Sequence, residues 1–166
     1  MTGMARPPSL LALPSYLASQ VSRYGRRRFE QALADHGLVL IHHAILAALS
    51  DFGPSSQQHL ADALDFDKSH LVARIDQLER RGLVSRSQDP VDRRRNQVAL
   101  TSGGRELVDQ LQRVAEESQR GLLDALSAQE RQTLISLLSR TLEANDAARR
   151  ANAASPGIPP EQAPAP

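Results

Sequence analysis

The strongest constraint on the fold is a change in hydrophobic period at Gly82. Before this glycine, apolar side chains recur at the spacing of one helix face: Leu71, Ile75 and Leu78. After it, residues 83–87 and 97–100 have the pattern of two short strands, and the loop between them is polar and rich in turn-forming residues. Gly82 is a typical helix stop. The segment therefore predicts a helix followed directly by a β-hairpin.

A shorter helix is predicted immediately before this one. Ser55 and Gln58 form a capping-box pattern, and the apolar pattern ends near Leu64. Asp67 can cap the following helix, because its carboxylate can accept hydrogen bonds from the backbone amides of the first turn. Helix, tight turn, helix and hairpin is the order of a winged helix-turn-helix, whose second helix enters the major groove of DNA.

Helical periodicity also flanks this unit on both sides. Four further helices are predicted: 9–35, 38–50, 101–126 and one that starts at a Ser127–Glu130 capping box. We therefore expect a mainly α fold of about six helices with a two-stranded β-hairpin wing. The domain is expected to span 9–150, and the Ala- and Pro-rich segment 151–166 is predicted to be a disordered tail.

The composition argues against several classes of protein. The chain has no Cys, which removes thiolate nucleophiles, disulfides and cysteine redox switches. It has no apolar run of the roughly 18 residues that a membrane span needs, and its first residues do not resemble a secretion signal, so we expect a cytoplasmic protein. No glycine-rich phosphate loop, nucleophile elbow or zinc-protease helix is present. We therefore expect no enzyme activity and no cofactor.

A metal site is not expected either. Three histidines are close in sequence, His36, His42 and His43, but the last two are adjacent and point to different faces of their helix. No His follows His70, so the 101–126 helix cannot supply a second imidazole. We expect one of His42 and His43 to pack inside the protein and the other to face solvent.

Positive charge is concentrated in one part of a nearly neutral chain. The formal net charge is only +1. Between residues 68 and 95, however, eight Lys and Arg side chains stand against four acidic ones. A local basic stretch of this kind is typical of a surface that faces phosphates.

The outer face of the second helix carries side chains suited to DNA contact: Lys68, Ser69, His70, Arg74 and Gln77. Arg can form two hydrogen bonds with guanine, and Gln can pair with adenine. We expect Arg74, Gln77 and His70 to contact bases. Lys68 and Ser69 lie in the first turn, where free backbone amides favour phosphate, and are expected to hold the DNA backbone.

The hairpin loop carries three successive arginines, Arg93, Arg94 and Arg95. Such a run is repulsive without an anionic partner, and Arg side chains enter narrow minor grooves because negative potential is concentrated there. We expect Arg94 to enter the minor groove, with Arg93, Arg95 and Arg86 near the DNA backbone. Asp92 is predicted to stiffen the loop by pairing with Arg94.

Several short motifs occur together in residues 53–104: Gly53-Pro54, Leu60-Ala61, Asp67-Lys68-Ser69, Leu78-Glu79-Arg80-Arg81-Gly82-Leu83-Val84, Asp89-Pro90, Asp92-Arg93-Arg94 and Leu100-Thr101. The helix-Gly-Leu-Val step, the Asp-x-Arg wing and the Leu-Thr pair make a specific combination. This combination resembles the DNA-binding lobe of the MarR (multiple antibiotic resistance regulator) family. The flanking helices extend the resemblance over about 9–150.

The resemblance implies an obligate dimer that binds palindromic operators. Its DNA-binding lobe would be 38–100, and its intertwined dimerisation helices would be 9–36 and 101–150. Relatives of this kind are usually repressors that use the recognition helix and the wing. The family motif puts the wing arginine at Arg94 and its acidic partner at Asp92.

The resemblance also implies a small-molecule effector. Many members release DNA when a small, often phenolic, anion enters a crevice between the dimerisation and DNA-binding lobes. Candidate pocket residues are Tyr16, Arg23, Tyr24 and His43, although no spacing selects any one of them. The expected function is therefore a sequence-specific, dimeric DNA-binding transcription regulator, most often a repressor relieved by an effector.

One alternative remains open from the sequence. Winged-helix modules can also dimerise or dock a partner protein without contacting DNA. The feature that separates the two hypotheses is the three-arginine wing, which a purely structural module would not need.

Overall fold

The structure, a computed structural model, describes residues 6–88 and 96–154. These residues form seven helices: α1 (Pro8–Leu11), α2 (Pro14–Ala34), α3 (Leu40–Phe52), α4 (Gln57–Ala63), α5 (Lys68–Arg80), α6 (Ser102–Leu122) and α7 (Ala128–Ala154). They also form three strands: β1 (Ser55–Ser56), β2 (Val84–Gln88) and β3 (Asn96–Leu100). The predicted winged helix-turn-helix, with flanking helices on both sides, is confirmed.

The sheet has one strand more than the sequence predicted. Its order is β1-β3-β2, and both pairings are antiparallel. The expected hairpin pairs Val84 with Leu100 at one end and Gln88 with Asn96 at the other. The additional strand, β1, has only two residues, which is too short for an alternating pattern to reveal. It pairs Ser55 with Val98 and thereby joins the segment after α3 to the wing.

The turn between α4 and α5 is closed by a Schellman motif. Asp65 adopts a left-handed conformation with φ of 51°, which Asp tolerates better than most residues. The amide of Phe66 donates to the carbonyl of Ala61 at 2.9 Å, which satisfies the end of α4. This turn sets the angle at which α5 leaves α4.

The core lies behind α5. The apolar side of this helix, Leu71, Ile75 and Leu78, is fully buried. It packs in one cluster with side chains from the other helices and the sheet: Leu33, Ile45, Leu46, Leu49, Leu60, Val84, Val98 and Leu111. The predicted aliphatic core is therefore present, and the polar side of α5 is left outside it.

A direct backbone approach joins α6 to the base of the wing. A Cβ atom added to Gly104 would lie 2.0 Å from the carbonyl oxygen of Leu83, so only glycine fits there. The hydroxyl of Thr101 donates to the carbonyl of Gly82 at 2.7 Å and accepts from the amide of Gly104 at 3.0 Å. Thr101 thus caps α6 and connects it to the end of α5.

The N-terminal helix differs from its prediction in one respect. The predicted single helix over 9–35 is divided into α1 and α2, because Pro14 starts a new helix at its first position. Helix α2 packs closely on α6 where Gly25 faces Leu122. A Cβ atom at Gly25 would lie 2.8 Å from the Leu122 side chain.

Helix α7 belongs to a second compact unit, which begins at Leu123. As predicted, it starts with a capping box: the amide of Ser127 donates to the Glu130 carboxylate at 2.8 Å, and the amide of Glu130 donates to the Ser127 hydroxyl at 3.3 Å. The helix continues to Ala154, so the predicted start of a disordered tail at 151 was wrong for the first four residues. Residues 155–166 lie outside the described residues.

None of the helices in the described ranges has the length and apolar character needed to cross a membrane.

Candidate nucleic-acid interface

The first turn of α5 is exposed and fixed by its N-cap. The Asp67 carboxylate accepts from the amides of Ser69 at 2.9 Å and His70 at 3.1 Å, and from the Ser69 hydroxyl. The Ser69 hydroxyl and these amides hold the pKa of Asp67 below its usual value. First-turn amides were expected to be free for phosphate, but the amides of Ser69 and His70 are occupied by Asp67. The side chain of Lys68, which is exposed beside them, remains suited to the DNA backbone.

Arg74 and Gln77 form one polar network on the side of α5. The Arg74 guanidinium donates through Nη1 to Oε1 of Gln77 at 3.1 Å. The same oxygen lies 2.8 Å from Nε2 of His42 on α3. The predicted pairing of Gln77 with adenine needs this oxygen, which already has two partners. His70 is exposed and lies outside this network.

His42 lies under this network and is only 6% exposed. Its Nδ1 accepts from the amide of Val39 at 3.3 Å. Nδ1 therefore carries the lone pair, and Nε2 carries the proton that is donated to Gln77. Burial, and to a smaller extent the charges of Arg74 and Arg81, lower the pKa of His42 despite the opposing hydrogen bond to Gln77. The imidazole is thus a neutral donor at physiological pH.

Arg86 lies on β2, and its guanidinium faces α5. It forms ion pairs with Asp76 and Glu79, and its backbone amide donates to the Glu79 carboxylate at 3.1 Å. Its side chain is 23% exposed. The structure therefore gives Arg86 two carboxylates as partners where the sequence analysis expected a DNA phosphate, and the ion pairs fix the wing to the recognition helix.

The predicted wing residues, Asp92, Arg93, Arg94 and Arg95, lie outside the described residues. The strands that lead to them are described up to the Gln88–Asn96 pair. The three arginines are therefore connected to a hairpin that is itself fixed to α5.

Arg81 makes a further connection that the sequence analysis did not find. It follows α5 and donates two hydrogen bonds to the turn after α2, at 2.8 Å to the His36 carbonyl and 2.9 Å to the Gly37 carbonyl. Its side chain was counted only as part of the basic stretch. Backbone carbonyls leave no sequence signal, so this contact between distant segments could be found only in the structure.

The four candidate effector residues fall into separate surroundings. Tyr24 is half exposed, accepts from Arg6 at 3.1 Å, and has the guanidinium of Arg23 5.8 Å from its ring centroid. His43 packs edge-on against Phe29 with ring centroids 4.8 Å apart, and burial lowers its pKa. Tyr16 is partly exposed on α2. No contact among the described residues joins His43 to the tyrosines.

A groove of about 340 Å³ lies between α2, the start of α3 and the turn before α5. It is lined by Arg26, Glu30, Val39, Leu40, Ile41, Ala44, Leu64 and Phe66. Arg26 and Glu30 form an ion pair at 2.9 Å, and the remaining lining is apolar. The volume is at the lower end of the range for small-molecule sites. None of the four predicted effector residues lines this groove.

Comparison with known proteins decides the family. The MarR family profile matches residues 40–95. The HTH-type transcriptional repressor NicR of Pseudomonas putida is 34% identical over 118 residues, which cover 71% of this chain and 75% of NicR. The chain belongs to the MarR family.

Solved MarR-type structures agree with this assignment. A probable transcriptional regulator from Pseudomonas aeruginosa has a TM-score of 0.70 and 31% identity, and the match covers 80% of this chain and 98% of that one. BpsR of Bordetella bronchiseptica, whose DNA binding is regulated by 6-hydroxynicotinic acid, has a TM-score of 0.68 and 29% identity. That match covers 76% of this chain and 96% of BpsR.

Membership of the MarR family confirms the class of function predicted from the sequence. The family and these relatives are transcriptional regulators and not enzymes. The protein is therefore a DNA-binding regulator, and the network around α5 and the wing is its candidate DNA interface.

Proposed function

We propose that this MarR-family protein is a dimeric, sequence-specific repressor that releases its operator when a small effector binds. The observation that carries the proposal is the arrangement of α5. Its apolar side is fully buried, while its polar side and first turn stay outside the core beside a hairpin that leads to three arginines. Such a helix is shaped to enter a major groove, and the wing arginines are suited to the adjacent minor groove.

The DNA contacts divide between bases and backbone. Arg74 and His70 contact bases, and Lys68 holds phosphate. Ser69, which was also expected to hold phosphate, donates its amide and its hydroxyl to Asp67 and supports the first turn of α5 instead. Arg94 enters the minor groove with Arg93 and Arg95 near the backbone, and Asp92 supports the loop. Gln77 and Arg86 act from within the protein, Gln77 by holding Arg74 and Arg86 by fixing the wing.

The homodimer is supported by apolar side chains that this chain leaves exposed. On α1 and α2 and the residues between them these are Leu10, Leu11, Leu13, Leu17 and Val21, and on α7 they are Ile135, Leu137, Leu138 and Leu142. Each unit thus exposes several large apolar side chains of its own, and exposed apolar surface of this kind is typical of interaction sites. Helices over 9–36 and 101–150 therefore form the dimerisation region of the proposed regulator.

The effector is a small aromatic carboxylate that binds in the groove beside Arg26. Support comes from the apolar lining and the position of the groove against the turn that precedes α5. Arg26 pairs with Glu30 at the side of the groove, so the effector carboxylate would replace Glu30 as its partner. BpsR responds to an acid of this class. The alternative effector site is the set predicted from the sequence, Tyr16, Arg23, Tyr24 and His43. Its support is the exposed ring of Tyr24, which has the guanidiniums of Arg6 and Arg23 within 6 Å of its centroid.

Fluorescence anisotropy with purified protein tests DNA binding. The probes are the duplex upstream of the protein's own coding sequence and a scrambled duplex, each at two salt concentrations. We expect tight, salt-sensitive binding that prefers the upstream duplex, because each phosphate contact releases counterions. Arg94→Ala should weaken binding several-fold, whereas Arg113→Ala on α6 is a control with the same loss of charge.

Weak and equal binding to both duplexes would be followed by a genome-wide selection of bound DNA fragments. If no fragment is selected, the alternative of a docking module without DNA binding is favoured.

The effector is tested by titrating 6-hydroxynicotinic acid into the complex of protein and DNA. Ala44→Leu should fill the groove and abolish release while DNA affinity is kept, and Ala63→Leu on the exposed end of α4 is its control. Loss of release in Tyr24→Phe, with Ala44→Leu unaffected, would transfer the site to the alternative pocket.

A further inference from the structure

A buried histidine is connected to the recognition helix by a single hydrogen bond. His42 belongs to α3, and its partner Gln77 belongs to α5, 35 residues further along the chain. Both imidazole nitrogens are used, since Nδ1 accepts from Val39 and Nε2 donates to Gln77. The imidazole can therefore occupy only one orientation without losing a hydrogen bond inside the protein.

The hydrogen bond to His42 decides the orientation of the Gln77 amide. Since Nε2 of His42 is a donor, the oxygen of Gln77 must point toward it. The same oxygen then accepts from Arg74 at 3.1 Å. A free arginine on a helix surface has many rotamers and loses their entropy when it binds a base. Fixing one donor of Arg74 in advance reduces this loss.

We propose that His42 is a positioning residue for operator recognition, which holds Arg74 through the side chain of Gln77. This inference rests on the proposed function, in which Arg74 contacts bases. His42 itself touches no DNA, since it is buried. The predicted consequence concerns discrimination: weakening the chain of hydrogen bonds lowers affinity for the correct sequence and leaves phosphate contacts, which every duplex offers, almost unchanged.

The test uses a duplex that the full-length wild-type protein selects from random DNA, and a scrambled duplex of equal length. Three single variants are compared with the wild type by anisotropy at constant salt. His42→Leu places an apolar side chain in the core instead of the imidazole and removes both of its hydrogen bonds. His42→Gln restores them, because a Gln side chain at this helix position can accept from the Val39 amide and donate to Gln77. Gln77→Leu removes the middle of the chain on a partly exposed position.

For His42→Leu and Gln77→Leu we expect the preference for the selected duplex to fall by about tenfold, part of what a complete guanine contact contributes. Affinity for the scrambled duplex should change less than about twofold, since phosphate contacts dominate it. His42→Gln should recover most of the preference. The double variant His42→Leu/Gln77→Leu should lose no more than either single variant, because the two residues act in one chain.

Three outcomes would overturn the proposal while the proposed function stands. The first is a wild-type preference retained in both His42→Leu and Gln77→Leu but lost in Arg74→Ala. The second is a double variant whose losses add, which would mean that Gln77 contacts bases independently. The third is a His42→Gln variant that is as thermally stable as the wild type but does not recover the preference for the selected duplex. If the wild type selects no sequence at all, the proposed function fails, and the proposal fails with it.

If His42→Leu does not fold, as judged by circular dichroism, Gln77→Leu and His42→Gln still decide the question. Gln77 is partly exposed, so its replacement leaves the core intact. Unchanged preference in Gln77→Leu would by itself overturn the proposal.

Discussion

Helices α5 and α7 both carry large apolar side chains, but the two helices differ in how far these side chains are buried. In α5, Leu71, Ile75 and Leu78 are each 0% exposed. In α7, the apolar side chains Ile135, Leu137, Leu138 and Leu142 are 51–63% exposed. The apolar side of α5 is therefore buried within its own chain, whereas α7 keeps apolar side chains exposed to solvent.

In the proposed dimer, this difference would separate DNA recognition from dimerisation. A recognition helix must be rigid before it meets DNA, so its core contacts are made within one chain, and its polar side is left for the ligand. A dimerisation helix must keep apolar surface for a second copy, since burial of that surface drives association.

Replacing a buried side chain of α5 should have the largest effect. We expect Ile75→Ala to lower the free energy of unfolding by about 2–5 kcal/mol, because it removes buried methyl groups and leaves a cavity. The matched variant on α7 is Ile135→Ala. Its effect should depend on protein concentration, since that side chain is exposed in the single chain and would be buried only in the proposed dimer. Urea denaturation at two concentrations measures both, and equal, concentration-independent losses would remove the contrast.

The lobe that contains α5 is closed against α6 at Gly104. We expect Gly104→Ala to cost about 1–3 kcal/mol, because the added methyl group overlaps the Leu83 carbonyl and the backbone must move. The neighbouring Gly103→Ala is the control. Its added Cβ meets nothing closer than 3.9 Å, so alanine should stabilise the helix by about 0.5–1 kcal/mol. Thermal unfolding that shows the same sign for both variants would contradict the close approach.

The exposed side of α7 should control association. We expect the double variant Leu138→Ser/Leu142→Ser to raise the dimer dissociation constant at least about tenfold, or about 1.4 kcal/mol. Sedimentation equilibrium measures the constant. Gln132→Ser, on an already polar position of the same helix, should leave it unchanged. A dimer as tight as the wild type in the double variant would mean that α7 does not supply the interface.

Acidification should affect the two regions unequally. Burial lowers the pKa of both His42 and His43, so between pH about 6.5 and these lowered values the unfolded chain binds more protons than the folded one. The contribution of these two neutral histidines to the free energy of unfolding is therefore complete above pH about 6.5 and is lost as the pH falls below it. His42→Gln should remove part of this decrease. Helix α7 contains no His, so the rise in the dimer dissociation constant caused by Leu138→Ser/Leu142→Ser should be the same above pH 6.5 and about one pH unit below it.

Much of the DNA-binding lobe could be predicted because its signals are local. The Asp67 cap, the apolar stripe of α5 and the stop at Gly82 lie within one segment, and the structure has them where the pattern indicated. The two-residue strand β1 was missed, and the sequence left open whether Pro14 marks an irregular start or a kink of the first helix. A proline near the start of a helix is compatible with either outcome, and a strand of two residues has no period.

The sequence predicted which residues belong to the candidate site but not which partners their side chains contact. Arg74, Gln77 and Arg86 were selected as polar or basic residues near the expected groove, and all three lie on α5 or the wing. Their partners are His42, Asp76 and Glu79. The acidic pair on α5 was a usable signal for Arg86, because a carboxylate on a helix beside a basic strand often forms an ion pair. No pattern connects His42 to Gln77 across 35 residues.

Periodicity, caps and short motifs are local, so the amino-acid sequence alone indicates which segments become helices and strands, which sides of them are apolar, and to which family the chain is similar. Which polar groups meet could be seen only in the folded chain. Hydrogen bonds such as His42 to Gln77 and Arg81 to the turn after α2 depend on distances of about 3 Å between segments far apart in the chain, and those distances are fixed by packing of the whole core.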